Sequence, residues 1–211
     1  MQRSTDPEIL DHPDVAGEVL ELAHRDLTRT HRWLGHTRLI LRELRRHPRP
    51  LRRVMDIGCG QGGLLEIIRR RMAVEVMGVD LRVAPGATVP MVAADAVRHP
   101  LPQADVALAI CLVHHLSEAE LVELIRNVGR SAGRRIVLDL VRHPVPLWLF
   151  RNFVAPFVYP VNAIDGMQSI RRSFTAAEMS AIVGRAVAGT PARVRHRVAP
   201  FWVHQVVDIS W

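Results

Sequence analysis

The chain has 211 residues, of which 48% are hydrophobic and 23% are charged, values that are ordinary for a single globular domain. No apolar run approaches the roughly 20 residues that a membrane-spanning helix needs, which argues against a membrane span. All 28 basic residues are arginine, so chemistry that depends on a lysine amine is excluded.

The net charge of +7 bears on whether the protein binds nucleic acid, and the two cysteines bear on its cellular location. A surplus of arginine would suit a nucleic acid, but we favour the simpler interpretation of arginines on solvated faces. Two cysteines cannot build a disulfide framework, and residues 1–7 lack the apolar core of a signal peptide. We therefore expect free thiols, a cytoplasmic location and no stable nucleic-acid partner.

Residues 7–47 carry two helical stripes of apolar side chains, with a break near Gly35. Pro48 and Pro50 end the second stripe, because proline is incompatible with a continuing helix. Residues 1–50 are therefore predicted to form a helical unit ahead of the core.

The strongest motif lies at residues 54–65, which read as a short apolar strand, a glycine turn and the start of a helix. Asp56 stands two residues before Gly58, and Gly60 follows. Glycine allows the backbone to turn sharply and a ligand to approach closely. The next apolar run ends in Asp80, where ribose hydroxyls would be held. An acid before the glycines argues against a nicotinamide site.

This Asp-x-Gly-x-Gly-x-Gly pattern, with an acid ending the second strand, resembles the class I S-adenosylmethionine-dependent methyltransferases over residues 51–140. The resemblance implies an α/β, Rossmann-like fold: a seven-stranded, mostly parallel sheet with a terminal antiparallel hairpin, and with N-terminal helices and an insertion as the active-site cover. It also implies S-adenosylmethionine as the cofactor. The residues implied to bind this cofactor are Asp56, Gly58, Cys59, Gly60, Asp80, Leu81, Asp95, Ala96 and Cys111. The alternatives are another doubly wound nucleotide-binding protein and an inactive relic of the fold.

The chain then alternates strands and helices. After a proline-glycine loop at residues 83–87, a short strand at residues 89–93 leads to Asp95, which in this family accepts a hydrogen bond from the adenine amino group. The apolar run at residues 105–111 predicts a strand that is buried on both faces. Asp139 ends the following strand at the same edge of the sheet.

A pair of histidines, His114 and His115, follows the strand at residues 105–111 and precedes a helix-capping box. This turn lies at the carboxyl edge of the sheet, where α/β proteins bind ligands. We expect His114 or His115, or else His143, to act as a general base, since histidine titrates near neutral pH. Adjacent residues on a strand point to opposite sides, so this pair is not expected to share a metal ion, and no metal motif is predicted.

Residues 141–172 form a long, proline-interrupted connection that contains five of the ten aromatic residues of the chain. In the family that the chain resembles, an insertion here builds the cover of the substrate, and long connections are usually functional. The candidate substrate-binding residues are Trp148 and Phe153 from this connection and Trp33 from the N-terminal helices. His31 and His36 are further candidates for the lining of the pocket. The alternative for the connection is a dimer contact or a small satellite core.

Residues 173–211 complete one predicted domain over residues 1–211. A capping box at Thr175 opens the last helix, and alternating stretches at residues 193–198 and 202–209 predict the closing hairpin. Within this domain we expect a helical cover at residues 1–50, a cofactor-binding core at residues 51–140 and a substrate cover at residues 141–172.

The aromatic cover favours an apolar acceptor, and the architecture is loosely similar to bacterial methyltransferases associated with polyketide pathways. The sequence therefore predicts methyl transfer to an oxygen or carbon atom of a phenolic, polyketide-like small molecule, by an enzyme that could form a homodimer. Two alternatives remain: an RNA or ribosomal methyltransferase, which would explain the arginines, and a relic that binds the cofactor without catalysis.

Overall fold

The computed structural model describes residues 1–12, 14–83 and 86–211, and it is built on one seven-stranded sheet with the order β3-β2-β1-β4-β5-β7-β6. The first five strands in this order are parallel, whereas β7 lies antiparallel between β5 and β6. This is the predicted Rossmann-like sheet with its terminal hairpin, which is confirmed. The strands are β1 (Arg53–Ile57), β2 (Glu75–Asp80), β3 (Met91–Ala93), β4 (Ala104–Ile110), β5 (Ala132–Asp139), β6 (Arg193–Val198) and β7 (Gln205–Ser210).

Seven helices connect and cover these strands within the described residues. They are α1 (Gly17–Trp33), α2 (His36–Arg45), α3 (Gly63–Arg71), α4 (Glu118–Gly129), α5 (Pro144–Phe153), α6 (Pro160–Arg172) and α7 (Ala176–Val187). The predicted break near Gly35 separates α1 from α2, and this glycine has φ = 80°, a value that favours glycine. Both predicted capping boxes are present, at Ser117 for α4 and at Thr175 for α7.

The sheet is buried on both faces, as the apolar strands require. On one face α4 and α7 contribute Leu121, Leu124 and Ile182 to the core. On the other face α2 and α3 contribute Ile40, Leu44, Leu65 and Ile68. The central strands are therefore held rigidly, and their carboxyl ends present side chains in fixed positions.

Residues 141–172 are more regular than the sequence suggested. Pro144 and Pro160 do not interrupt helices here, because each stands in the first turn of one. Proline is well tolerated at that position, where its missing amide hydrogen would have had no partner in any case. The connection thus consists of α5, a 3-10 turn at Ala155–Phe157 and α6.

Three local expectations were wrong. Trp202 lies in a 3-10 turn at Pro200–Trp202 and not in the last strand, which begins at Gln205. No long helix begins at residue 7: a 3-10 turn at Ile9–Asp11 comes first, and α1 begins at Gly17. Not all arginines are on solvated faces, since Arg134, Arg135 and Arg142 are buried.

Of the predicted loop at residues 83–87, Ala84 and Pro85 lie outside the described residues, as does Pro13 in the N-terminal segment.

Arg134 binds α2 to the sheet. Its Nε donates to Asp208 Oδ1 at 2.8 Å, and its Nη2 lies 3.4 Å from Glu43 Oε2. All three side chains are buried, so the charges compensate one another away from water.

Neither cysteine is bonded to the other, as expected. Among the described residues, no helix combines the length and the apolar character that crossing a membrane would require.

Candidate active site

The turn between β1 and α3 forms the floor of the candidate site. Gly58 has φ = 69°, and a Cβ at this position would lie 2.6 Å from Leu112 Cδ1. Gly62 has φ = 80°, and a Cβ there would lie 2.5 Å from Val89 Cγ2. Only glycine fits these two positions, because both the backbone conformation and the neighbouring side chains exclude a larger residue.

Two carboxylates flank this turn. Asp80, at the end of β2, accepts a hydrogen bond from the amide of Gly60 at 2.9 Å. Asp56 is buried at the end of β1, and its Oδ1 has no hydrogen-bond partner. Burial and the nearby Asp80 raise the pKa of Asp56 to about 8. A buried acid without a partner fits a ligand that brings positive charge, since such a ligand would restore the favourable charged form.

The remaining predicted cofactor residues lie along the same edge. Leu81 is largely exposed after β2, and Ala96 is buried beyond β3. Asp95 accepts a hydrogen bond from the amide of Val97 at 2.9 Å, which fixes its carboxylate in a tight turn. Cys59 lies in the glycine turn, and Cys111 follows β4 with φ = 50°, an uncommon value for a residue with a side chain.

Helix α1 lies over the glycine turn. A Cβ at Gly63 would lie 2.9 Å from Thr28 Oγ1, and one at Gly60 would lie 3.9 Å from His24 Nε2. His24, Thr28 and His31 are spaced by four and three residues, so they share one face of the helix. Sequence reasoning missed His24 and Thr28, although this polar stripe on an otherwise amphipathic helix was a usable signal.

His31 and His36 line a cavity of about 30 Å³ beneath α1 and α2, together with Thr28, Thr37, Ile40, Leu64, Ile67 and Ile110. Burial lowers the pKa of His31 to about 4. It also lowers the pKa of His36 well below its ordinary value, with a smaller contribution from the neighbouring His31 and His204. Both rings are therefore neutral at physiological pH.

His114 is enclosed between two carboxylates. Its Nδ1 lies 2.7 Å from Asp139 Oδ1, its backbone amide donates to Asp139 Oδ2 at 2.9 Å, and its Nε2 lies 3.5 Å from Glu8 Oε1. Burial alone would lower the pKa of His114, but the charges and hydrogen bonds of Asp139 and Glu8 outweigh it and raise the pKa to about 9. His114 therefore carries a proton at neutral pH.

The expectation that His114 and His115 point to opposite sides was wrong. Their rings lie 4.3 Å apart between centroids, tilted by 37°. The reason is that both belong to a 3-10 turn at Val113–His115 and not to the end of β4. The side chain of His115 is 27% exposed, against 2% for His114, and its Nδ1 lies 3.4 Å from Asp11 Oδ1.

Glu8 belongs to an N-terminal strap, residues 3–11, that closes over the two histidines. Arg3 donates to the carbonyl oxygens of His114 and Leu116, and the carboxylate of Asp165 in α6 accepts from the amides of Ile9 and Leu10. The sequence contained no pattern that predicted this strap, because its partners are more than 100 residues away along the chain.

The other predicted residues are more peripheral. His143 caps α5 by accepting a hydrogen bond from the amide of Val145, and its ring stacks on Trp202 at 4.2 Å. Trp148 and Phe153 of α5 form an edge-to-face pair with centroids 5.6 Å apart. Trp33, Trp148 and Phe153 are each more than half exposed.

Comparison with known proteins agrees with this geometry. Residues 55–137 match the family described as a methyltransferase domain, and they include the glycine turn, Asp56, Asp80 and the histidine pair. This match over residues 55–137 supports a class I S-adenosylmethionine-dependent methyltransferase domain in this part of the chain.

Solved structures of methyltransferases share the fold at low sequence identity. The plantazolicin methyltransferase BpumL in complex with S-adenosylhomocysteine is 12% identical, with 95% of this chain and 92% of that chain covered and a TM-score of 0.72. Human N-acetylserotonin methyltransferase in complex with S-adenosylmethionine is 13% identical, with 92% and 56% covered and a TM-score of 0.62. A putative O-methyltransferase from Nostoc punctiforme PCC 73102 is 18% identical, with 84% and 56% covered and a TM-score of 0.58. The chain thus spans about half the length of the last two proteins. No curated protein sequence matches it.

Two of these solved structures contain S-adenosylmethionine or S-adenosylhomocysteine, and the residues at the strand ends of this chain fit such a cofactor. The cofactor carries a positively charged sulfur and an ammonium group, which suit the unpartnered carboxyl of Asp56. The amide-bound carboxylate of Asp80 has lone pairs left for hydroxyl groups, since each carboxylate oxygen can accept more than one hydrogen bond.

Proposed function

We propose that this methyltransferase acts on an oxygen or carbon atom of an apolar or phenolic small molecule, of polyketide-like character. The observation that carries the proposal is the aromatic surface of α5 and of the 3-10 turn that follows it. Trp148, Phe153 and Phe157 expose 56–69% of their surface there, next to the carboxyl edge of the sheet. Exposed aromatic groups of this kind mark a surface that covers an apolar ligand.

Solved structures with the same fold support a small molecule as the methyl acceptor. Among the structures that share it are a plantazolicin methyltransferase, a human N-acetylserotonin methyltransferase and the pyocyanin biosynthetic protein PhzM. These names describe proteins that act on, or take part in making, small molecules. The common fold makes such an acceptor a reasonable first candidate for this chain as well.

In this proposal residues at the carboxyl edge of β1 to β4 would hold the cofactor. Asp56, Gly58, Cys59 and Gly60 of the first turn would hold its amino-acid part, and Asp80 with Leu81 its ribose. Asp95 and Ala96 would hold its adenine, and Cys111 would line the cleft. Residues 51–140 would thus form the cofactor-binding core, and residues 1–50 and 141–172 the two covers.

When bound, S-adenosylmethionine supplies a methyl group attached to a positively charged sulfur. The chain itself has to orient the acceptor, exclude water and accept a proton from a phenol or carbon acid. His115 suits the last task better than His114, which already holds a proton between two carboxylates. Its Nε2 lies 3.9 Å from the nearest Glu8 oxygen and is free to accept, while Asp11 beside Nδ1 would stabilise the charged ring.

A nucleic-acid acceptor has less support. Several surface arginines are paired with acids, such as Arg53 with Glu75 at 2.7 Å and Arg69 with Glu66 at 2.6 Å. We propose that no stable nucleic-acid complex forms and that the enzyme is cytoplasmic, in agreement with its two free cysteines. A gel-shift series at rising salt tests the first point, because phosphate binding by arginines would appear at low salt.

Asp80→Ala should weaken binding of S-adenosylmethionine at least about tenfold, because hydrogen bonds to a charged group contribute about 1.5–3 kcal/mol. Calorimetry of the purified protein measures this affinity. Glu75→Ala, at the opposite end of β2, is the matched control and should bind the cofactor as the wild type does. Equal affinities of the two variants would contradict the placement of the ribose.

Trp148→Ala should raise the acceptor's Michaelis constant several-fold and leave that of the cofactor unchanged, because buried apolar surface contributes about 25 cal/mol per Å². Formation of S-adenosylhomocysteine from a panel of simple and alkylated phenols provides the assay. Trp211→Ala is the control, since Trp211 is similarly exposed but follows β7 at the opposite edge of the sheet. If Trp148→Ala instead dissociates an oligomer and leaves the acceptor kinetics unchanged, α5 is a subunit interface.

A further inference from the structure

A second group of polar side chains lies beside the proposed cofactor site, and only one of its members, Cys111, also lines the proposed cofactor cleft. It consists of His31 near the end of α1, His36 at the start of α2, and Cys111 directly after β4. One ligand atom from each lies within 4.8 Å of the other two. Two imidazole nitrogens and one sulfur thus converge from three separate elements.

One buried nitrogen of this cluster, Nδ1 of His36, has no hydrogen-bond partner. The residue is only 3% exposed, and its Nδ1 makes no hydrogen bond. A buried polar nitrogen without a partner destabilises the fold by the full desolvation penalty of that group. A bound ligand that accepts the nitrogen lone pair would remove this penalty.

The rings around His36 leave room for a small ligand. The centroid of His31 lies 5.3 Å away, and that of His204 lies 5.2 Å away in an edge-on orientation. The cavity that His31 and His36 line has a volume of about 30 Å³, comparable to one water molecule or one ion.

We propose that His31, His36 and Cys111 bind one divalent transition-metal ion of the zinc type, with a fourth position left for water. Two nitrogen ligands and one sulfur ligand are a donor set that zinc prefers, and three protein ligands with one open position are typical of non-structural zinc sites. Tetrahedral zinc with bonds of about 2.0–2.3 Å places its ligand atoms about 3.5 Å apart. The ligand atoms now lie within 4.8 Å of one another, so closing the site requires side-chain movements on the order of 1 Å.

A rival cluster has similar dimensions but different chemistry. Glu8, His114 and His115 also bring three ligand atoms within 4.8 Å of one another. There, however, His114 is bonded at both ring nitrogens and its charge is balanced by two carboxylates. The unpartnered nitrogen of His36 distinguishes the first cluster. The sequence predicted no metal site, because it contains no metal motif and because His114 and His115 were expected to point apart; the present proposal departs from that prediction.

The test uses the full-length protein, freed of metal and checked for folding by circular dichroism. Titration with Zn²⁺ in a calorimeter should give one site per chain. Titration with Co²⁺ should give an absorption band of thiolate-to-metal charge transfer, which reports a sulfur ligand directly. Neither titration depends on methyl transfer. A negative result would therefore contradict the metal site without contradicting the proposed function.

Cys111→Ser should abolish the cobalt band and weaken zinc binding at least about 100-fold, beyond the range typical of residues that only support a ligand. Cys59→Ser removes the only other thiol of the chain and should leave both signals intact. His36→Gln should also weaken zinc binding, whereas His47→Gln, beyond the end of α2, should not. Should His36→Gln fail to fold, Cys111→Ser still decides the question.

Three results would overturn the proposal. One is the absence of a cobalt charge-transfer band in the wild type. Another is zinc binding that Cys111→Ser leaves unchanged. The third is zinc binding that is lost in His115→Ala and retained in Cys111→Ser, which would place the ion in the rival cluster.

Discussion

Replacing His114 with alanine is expected to lower the free energy of unfolding by about 3–5 kcal/mol, the usual effect of breaking a buried ion pair. Asp139 is 1% exposed and Glu8 is 7% exposed, so neither carboxylate can recover its interaction through water. The substitution leaves two buried negative charges facing an empty space. Urea unfolding of the wild type and the variant measures the difference.

The pH dependence separates the charge of His114 from its packing. The pKa of His114 is about 9 in the folded protein and close to 6.5 when it is unfolded. The folded state therefore binds the proton more tightly, and this contribution to stability is complete below about pH 6.5 and is lost as the pH rises through 9. The stability gap between the wild type and His114→Gln should narrow over that interval.

His47→Ala serves as the control for His114, because His47 lies at the surface beyond α2 and its ring contacts the backbone of Arg49. It should change stability by no more than about 0.5 kcal/mol. A gap between the wild type and His114→Gln that stays constant or widens from pH 6.5 to 9 would show that His114 is not charged in the folded state.

The position of the proposed cofactor residues in the fold was predictable because its signals are local. Asp56 and Gly58 are two residues apart, and Asp80 ends the next strand, so strand ends and spacing alone place them on one edge of a parallel sheet. The capping box at Ser117 likewise needs only four residues to be recognised. Where a function depends on residues that are close in the sequence, pattern and chemistry are sufficient.

The surroundings of the histidines were not predictable in this way. Glu8 reaches His114 across 106 positions of the chain, and no local pattern links the two. The orientation of His115 was also mispredicted. The prediction treated the two histidines as part of a strand, whereas β4 ends at Ile110 and a 3-10 turn follows. In such a turn, with three residues per turn, neighbouring side chains are not on opposite sides.

Buried charge was also hidden from the sequence. Arg134 lies in a strand of apolar residues, and its partner Asp208 lies in another strand that is 74 positions away. Pairing of β5 with β7 brings Ile136 opposite Asp208, so the arginine and the aspartate meet across the ladder. Predicting the pairing of Arg134 with Asp208 requires the strand order. A single sequence suggests that order only through its resemblance to a family.

His115→Ala is expected to lower turnover about 100-fold while the affinity for S-adenosylmethionine stays unchanged, since general bases typically contribute factors of about 10²–10⁴. The structure favours His115 over His114 as the base because its side chain is accessible and its Nε2 is not hydrogen-bonded. Single-turnover assays with a phenolic acceptor measure the chemical step, and calorimetry measures the cofactor affinity.

His143→Ala is the matched comparison for His115, because His143 was the next candidate for the base after His114 and His115 in the sequence. Its Nδ1 already accepts the amide of Val145 and its ring stacks on Trp202, so the substitution should cost about 1 kcal/mol of stability through the lost cap and spare the turnover. If the two variants exchange these effects, His143 is the base. If both retain near-normal turnover, correct placement of the acceptor is sufficient for catalysis, and His115 serves instead to hold Asp11 and the N-terminal strap over the site.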